Sequence, residues 1–191
     1  MSPPSAGDPE RDQRSESQLT GLINTTQLIV IDRPERLVLM DTLHTQRLIL
    51  RPLAKSDAKD LFGARCDTEV MEFLGCPPDA TSSETAAMVD LLLADVLSGA
   101  AKYWTILLRS HESFVGVCDL SEIRCGESAD LGFMLLRRYW GVGLGNKVVS
   151  CLLEFAKSLG LKLVTARIHA GNTRSRKLGS YCYERDSNLS N

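Results

Sequence analysis

The stretch that decides the fold is Leu135-Leu136-Arg137-Arg138-Tyr139-Trp140-Gly141-Val142-Gly143-Leu144-Gly145-Asn146. It joins the end of a predicted strand to the start of a predicted helix through three alternating glycines. Glycine lets the backbone turn sharply and approach a ligand closely, and the first N–H groups of a helix lack intrahelical acceptors. The junction therefore predicts a binding place for an anion, and a pyrophosphate would fit it. The alternative is a tight strand-to-helix connection that holds no ligand.

Two other phosphate-binding patterns fail on spacing. A dinucleotide-binding fold needs G-x-G-x-x-G after an early strand, and here the third glycine comes one place too soon. A P-loop needs G-x-x-x-x-G-K-[ST], but Lys147 is followed by Val148. The glycine triplet therefore belongs to neither of these nucleotide-binding classes.

The segments on both sides of this stretch predict an α/β sheet packed by helices on its faces, because apolar periodicity alternates between the strand and helix spacings. Ser56-Asp57 is expected to cap the first helix, and one apolar stripe from Ala86 to Leu97 is expected to bury the second. The predicted strands cover 47–53, 103–108, 114–120, 129–136 and 162–168, and the predicted helices cover 57–66, 82–99, 146–159 and 172–183, with a short segment at 69–74.

Length and composition predict one soluble domain. The chain has 191 residues, with an expected disordered tail at 1–26, room for an extra hairpin at 27–42, and the domain itself at 43–191. A net charge of −2 offers no general attraction to nucleic acid or to anionic membranes. No secretory signal or membrane span is recognisable, so a cytoplasmic location is expected. The six cysteines form no C-x-x-C pair, which argues against disulfides and a metal site.

The string from Ala129 to Leu135, leading into Tyr139 to Gly145, resembles the GNAT superfamily of N-acetyltransferases. Its signature, Q/R-x-x-G-x-G/A, matches from Trp140 onward. Trp140 replaces the usual Gln or Arg, as in the branch related to the N-terminal acetyltransferases of ribosomal proteins. Further agreement comes from the segments 45–51, 67–75 and 169–175, so that the resemblance covers about residues 43 to 175.

The resemblance implies a mixed, mostly antiparallel sheet flanked by helices, in the α/β (α+β) class, and transfer of an acetyl group from acetyl-CoA to a primary amine. The strand before the loop is expected to part from its neighbour, so that its unpaired backbone binds the pantetheine arm and offers an N–H to the thioester oxygen. The residues that would bind the cofactor are Phe133, Met134, Leu135, Leu136, Trp140, Gly141, Val142, Gly143, Leu144, Gly145, Asn146 and Asn172. No metal is expected.

Two residues match positions that act in catalysis in the resembled family. Asp130 occupies the acidic strand position that serves as general base, and its alternative is an acid on a solvated strand face. Ser175 matches a hydroxyl that would protonate the departing thiolate, and its alternative is an ordinary first-turn serine. Asn172 could contact the cofactor or only cap a helix. The acceptor must be neutral to attack, which a terminal amine with pKa near 8 achieves more easily than a lysine near 10.4.

After Ser175 the resemblance ends, because the two closing strands of the family are missing and the domain looks truncated at its C-terminus. The 162–168 strand is then expected to have an open edge. Two hypotheses follow. The chain is a working N-acetyltransferase for a protein N-terminus or a small amine, or it is an inactive relative that binds CoA or a partner chain. A homodimer is one form that such a partnership could take.

Overall fold

The computed structural model describes residues 42–178. The tail and the hairpin expected before residue 42 lie outside the described residues, as does the end of the last predicted helix. Between these limits the order of strands and helices is the predicted one, except that an unpredicted two-residue strand, Leu43–His44, precedes the first predicted strand. No helix within residues 42–178 combines the length and the apolar character that crossing a membrane requires.

Six strands form one sheet in the order of the sequence. Neighbouring strands run antiparallel from β1 to β5, and β6 joins β5 in parallel. The expected mixed, mostly antiparallel sheet is therefore confirmed. The strands are β1 (Leu43–His44), β2 (Leu48–Pro52), β3 (Lys102–Leu108), β4 (Phe114–Arg124), β5 (Ser128–Leu135) and β6 (Leu163–Thr165).

Helices cover both faces of the sheet. They are α1 (Ala58–Arg65), α2 (Thr68–Met71), α3 (Ser82–Ser98) and α4 (Leu144–Ser158), and helical turns at residues 173–178 end the described chain. Helix α4 begins two residues before the predicted Asn146. Gly143 takes the N-cap position with φ 79°, a left-handed conformation that favours glycine.

Two hydrophobic cores hold the helices to the sheet. On one face, strand residues such as Leu50, Trp104 and Leu131 pack with the broad apolar side of α4, where Val148 and Leu152 are fully buried. On the other face, α1 to α3 pack over a second core that includes Leu61, Val89 and Leu107. Alternate strand residues therefore face alternate cores, as the period of two requires. The same alternation assigns the two faces of β4 and of β5 to one core each.

Asp57 takes the N-cap position of α1, as expected, but its side chain makes no capping bond to that helix. It lies in a 3-10 turn and is buried, where Arg51 donates to both carboxylate oxygens at 2.8 and 2.6 Å and Thr105 donates at 2.6 Å. Burial raises the pKa of Asp57, but the hydrogen bonds from Arg51 and Thr105 outweigh it and hold the pKa below its ordinary value.

Three further expectations need correction. The stripe on α3 is narrower than predicted, because Ala86 and Leu97 are exposed and the buried positions are Thr85 and Val89. Strand β4 continues past the predicted Leu120 to Arg124, since it pairs with β5 up to the turn between them. Strand β6 spans three residues where seven were predicted, because after Thr165 the chain leaves the sheet.

Candidate active site

The site begins where β5 and β6 separate. Their parallel pairing covers Ser128 to Asp130 on β5 and Leu163 to Thr165 on β6, but β5 continues to Leu135. Among the described residues, β5 therefore has no strand partner on this side beyond Asp130. The N–H of Leu136 donates toward β4, to the carbonyl of Val115 at 2.9 Å. Since backbone groups alternate in direction along a strand, those of Phe133 and Leu135 face the gap.

A cavity of about 360 Å³ opens at this separation. Four parts of the fold wall it: the free part of β5, helix α2 with the residues that follow it, the loop that leads into α4, and residues 172–178. The lining includes Glu69, Val70, Phe73, Leu74, Phe133, Met134, Leu135, Tyr139, Trp140, Gly141, Gly143, Leu144, Gly145, Asn146, Asn172, Arg174, Ser175, Lys177 and Leu178. The Phe73 ring stacks on His169 at a centroid distance of 5.5 Å, which joins α2 to the chain after β6.

The glycine loop has room for an anion. Gly141 and Gly143 have φ of 74° and 79°, and a Cβ added at either would meet no atom within 4 Å. Arg47 donates to the carbonyl of Val142 at 3.0 Å. In a trans peptide the N–H points opposite to the carbonyl, so the N–H of Gly143 faces away from Arg47. With the amide donors of the α4 N-terminus beside it, the loop fits a diphosphate.

Gly145 is required by close packing. A Cβ at this position would lie 3.0 Å from Leu178 Cδ1 and 3.6 Å from the Phe133 ring. The third glycine therefore lets the helical turns at residues 173–178 approach α4 and close one side of the cavity.

Trp140 connects three parts of the site. Its indole Nε1 donates to the carbonyl of Leu135 at 2.9 Å, and the guanidinium of Arg174 lies 4.9 Å above its ring. The indole thus occupies one backbone acceptor of the free part of β5 and leaves the N–H of Leu135 available. The stacked cation holds the helical turns of residues 173–178 against the loop.

Asn172 and Ser175 both line the cavity, and they also form a helix cap. The Asn172 Oδ1 accepts the backbone N–H of Ser175 at 3.0 Å, as an N-cap side chain does. This leaves the Asn172 amide hydrogens and the Ser175 hydroxyl for other contacts.

Three of the residues predicted for the site do not line the cavity. Leu136 is buried in the second core, and its N–H is used by Val115. Val142 turns its side chain outward and is 49% exposed. Asp130 forms an ion pair with Arg167 Nη2 at 2.8 Å and accepts a hydrogen bond from the Thr165 hydroxyl. Its carboxylate is therefore held at the last β5–β6 pair.

Sequence reasoning missed Asp119 on β4. Burial raises the pKa of this carboxyl to about 6, and the nearby charge of Asp130 acts in the same direction. On β3, burial raises the pKa of Tyr103, the cross-strand partner of Asp119, to about 12. The available signal was a lone acid between the apolar residues Cys118 and Leu120 of a core strand.

Within residues 42–178, no three His, Cys, Asp or Glu side chains are grouped as a metal site requires.

Residues 47–181 match the family described as Acetyltransferase (GNAT) domain. The uncharacterised N-acetyltransferase p20 of Bacillus licheniformis is 30% identical over 141 residues, which cover 73% of this chain and 79% of that protein. Each of these matches includes most of the described residues.

Solved structures share the fold. An acetyltransferase of Salmonella typhimurium that modifies the N-terminal serine of ribosomal protein L7/L12 has a TM-score of 0.64 and 18% identity, covering 72% of this chain and 80% of that chain. Spermidine N-acetyltransferase of Vibrio cholerae, solved with CoA and spermine, also has a TM-score of 0.64, with 17% identity and coverage of 72% and 80%. The chain belongs to the GNAT acetyltransferase family and is an acetyl-CoA-dependent acyltransferase.

Proposed function

We propose that this chain transfers the acetyl group of acetyl-CoA to a primary amine, either a protein N-terminus or a small amine, by direct attack of the amine on the thioester. The observation that carries the proposal is the separation of β5 from β6 directly above the glycine loop. That arrangement supplies amide donors for a diphosphate and a free strand edge beside it, joined in one cavity.

The cofactor would bind along the cavity from α4 to β5. Amide N–H groups of Gly143, Leu144 and Gly145 would hold the diphosphate at the α4 N-terminus, where the helix dipole favours negative charge. The pantetheine amides would pair with the backbone of Phe133 and Leu135, which faces the gap. The same edge can give an N–H to the thioester oxygen, where negative charge develops as the amine attacks.

The acceptor would enter from the side of α2. Phe73, Leu74 and Met134 make that part of the wall apolar, so it can carry an acyl chain or an apolar acceptor group but offers no charge to an ammonium. Glu69 is the acid among the residues that line the cavity, and its carboxylate already pairs with Arg137. About one tenth of a terminal α-amine is neutral at pH 7, a larger fraction than for a lysine side chain, so a terminal α-amine is the favoured acceptor.

Relatives of both kinds support the range of acceptors in the proposal. The Salmonella typhimurium protein modifies an N-terminal serine, and the Vibrio cholerae protein acts on spermidine. Asn172 and Ser175 would act at the opposite wall, where the Ser175 hydroxyl can protonate the departing thiolate.

A second candidate, which would leave this chain without the activity of its family, is an inactive relative that binds CoA or a partner chain. It is favoured by the outer edge of β6, which pairs with no strand among residues 42–178. An unpaired edge of this kind invites pairing with another strand, including one from a second copy of the chain.

Two measurements on the full chain test the proposal. Calorimetry gives the affinity for acetyl-CoA, and a thiol assay follows CoA release with a panel of N-terminal peptides, polyamines and simple amines. Turnover with one class of amine supports the proposal and names the acceptor. Binding of acetyl-CoA without turnover for any amine supports the second candidate.

Gly143 provides the matched pair of variants for the loop. Gly143→Ala adds a side chain in open space and costs about 1–2 kcal/mol because φ is left-handed. Gly143→Asp adds the same strain plus a carboxylate beside the diphosphate. We expect Gly143→Asp to abolish acetyl-CoA binding while Gly143→Ala weakens it about tenfold. Equal affinities in the two variants would contradict an anion at this loop.

A further inference from the structure

We propose that Asp119, rather than Asp130, accepts the proton that the acceptor amine must lose before it attacks the thioester. The inference rests on the proposed acetylation of a primary amine and names a residue for one of its steps.

The carboxylate of Asp119 lies over β5 at a glycine. Asp119 is the register partner of Gly132, and a Cβ built on Gly132 would lie 2.5 Å from Asp119 Oδ1. The Asp119 carboxylate therefore fills the space that a side chain of residue 132 would occupy. Strand β5 in effect has an acidic group at a position where its own residue has no side chain.

This placement moves the acidic group toward the reaction site. Asp130 lies at the last β5–β6 pair, whereas Gly132 lies within the part of β5 that faces the gap. Two residues along a strand correspond to about 7 Å. The carboxylate of Asp119 is therefore nearer to the open part of β5 than that of Asp130, and it lies at Gly132, one residue before Phe133; neither acid is among the residues that line the cavity, so the proton would pass through water.

Asp119 also lies on the sheet face from which the acceptor would enter. Its neighbours Cys118 and Leu120 point into the α4 core, so its own side chain points to the opposite face, together with Met134. Met134 lines the cavity there, opposite the residues of α2. A proton acceptor on this face is separated from the diphosphate loop, which lies at the start of α4.

The two carboxylates differ in their partners. Asp130 is bound by Arg167 and Thr165, so a cation and a hydroxyl donor already engage its carboxylate oxygens. None of the ion pairs among the described residues includes Asp119, which is hydrogen-bonded to Ser121. The ionisable groups that face Asp119 are Asp130 on β5 and Tyr103 on β3, with Asp95 of α3 beyond Tyr103.

The surroundings make Asp119 a stronger base than an ordinary aspartate. Burial raises its pKa to about 6, so at pH 7 the carboxylate is mostly ionised and able to take a proton. Proton transfer from an α-ammonium of pKa near 8 is then uphill by about 2 pKa units, against about 4 for an ordinary aspartate.

In this step the ammonium gives one proton to the Asp119 carboxylate and becomes a neutral amine. The nitrogen lone pair forms the C–N bond at the thioester carbonyl, and the C–S bond breaks as the sulfur leaves with its electron pair. The thiolate takes up one proton as the nitrogen loses its second, which gives the amide and free CoA. Asp119 then releases the first proton to solvent.

The test compares the pH dependence of kcat/KM in four variants of the full chain, with the best amine from the panel. Asp119→Asn removes the proposed acceptor, Asp130→Asn removes the competing one, and Gly132→Ala pushes the Asp119 carboxylate away by adding the Cβ. Glu127→Gln removes an exposed carboxylate at the β4–β5 turn and serves as the matched control. Calorimetry of acetyl-CoA binding shows whether each variant is folded.

We expect Asp119→Asn to lower kcat/KM about 100-fold at pH 7. The fall in kcat/KM that wild type shows as the pH drops below about 6 should be absent from this variant. The loss should shrink below about tenfold at pH 9, where the amine is neutral without help. Gly132→Ala should lower kcat. Asp130→Asn should lower kcat/KM less than tenfold and keep the fall in kcat/KM below about pH 6, and Glu127→Gln should have the kcat/KM of wild type at every pH. Acetyl-CoA affinity should stay within about twofold throughout.

A large loss in Asp130→Asn with near-normal Asp119→Asn would overturn the assignment, and so would an Asp119→Asn loss that is constant with pH. If Asp119→Asn does not fold, an unaffected kcat in Gly132→Ala overturns the assignment instead, and a lowered kcat supports it. Failure of the proposed function is a separate outcome, seen as wild-type protein that binds acetyl-CoA and acetylates no amine.

Discussion

Replacing Asp119 by Asn should make the protein more stable at pH 7, although the same change is expected to impair catalysis. In wild type, burial disfavours the ionised carboxyl and raises its pKa. Asn has almost the same shape, can keep the hydrogen bond with Ser121 and carries no charge. The folded variant therefore avoids the cost of burying a carboxylate beside Asp130.

The magnitude follows from the pKa. The folded value of about 6 lies about 2 units above the ordinary value of 3.8, and each unit corresponds to about 1.36 kcal/mol. Because Asp119 keeps some solvent contact, we expect a gain of about 2–3 kcal/mol at pH 7. A folded pKa above the unfolded one contributes stability that is present below pH 3.8 and is lost as pH rises through 6.

Urea unfolding of wild type, Asp119→Asn and the control Glu127→Gln between pH 3.5 and 7.5 measures this difference directly. The free energy of unfolding of the variant, minus that of wild type, should rise from its low-pH value by about 2–3 kcal/mol and level off above pH 6.5. The other titrating groups cancel in the difference. A difference that stays constant across this range would refute the reasoning.

Other substitutions test the packing and the site. Asp57→Asn should lower the free energy of unfolding by about 3 kcal/mol at pH 7, since Arg51 and the buried Thr105 lose a charged acceptor. Wild type should lose the same stabilisation as pH falls through the lowered pKa of Asp57. Urea unfolding of both proteins at several pH values measures the two effects. Leu152→Ala should cost about 3 kcal/mol, because Leu152 is fully buried on the side of α4 that packs against the sheet. Leu97→Ala, at a position 87% exposed, is the control and should change stability by less than about 0.5 kcal/mol; urea unfolding measures both. Trp140→Phe should weaken acetyl-CoA binding several-fold, as measured by calorimetry, because the Leu135 carbonyl loses its indole donor and the edge of β5 loses its support. An unchanged affinity would show that this hydrogen bond does not order the site.

Local patterns in the sequence account for most of the fold. The alternation of strands 103–108 and 114–120 and the broad apolar face after Gly143 depend on residues that are close in the chain, so their periods can be read directly. The glycine triplet is equally local, because the turn, the positive φ of Gly141 and Gly143 and the helix start are determined within a few residues. The family resemblance carried by the same stretch is confirmed by the match over residues 47–181.

Helix caps and short strands were less predictable, because they depend on what else is nearby. Ser56-Asp57 has the composition of a cap, but Arg51 and Thr105 offered Asp57 a buried place with stronger partners. The 162–168 segment has strand composition throughout, yet only Leu163–Thr165 pairs with β5. Pairing partners decide the length of an edge strand, and its own residues do not.

Near neighbours in the chain are enough to predict the class of fold, the glycine loop before α4 and the strand that is left open beside it. The surroundings of Asp119 and Asp130 depend instead on long-range contacts. Arg167 reaches Asp130 across the sheet, and the register of β4 with β5 sets Asp119 over Gly132. Both contacts join residues far apart in the chain, and a one-residue change of register would have reversed the faces.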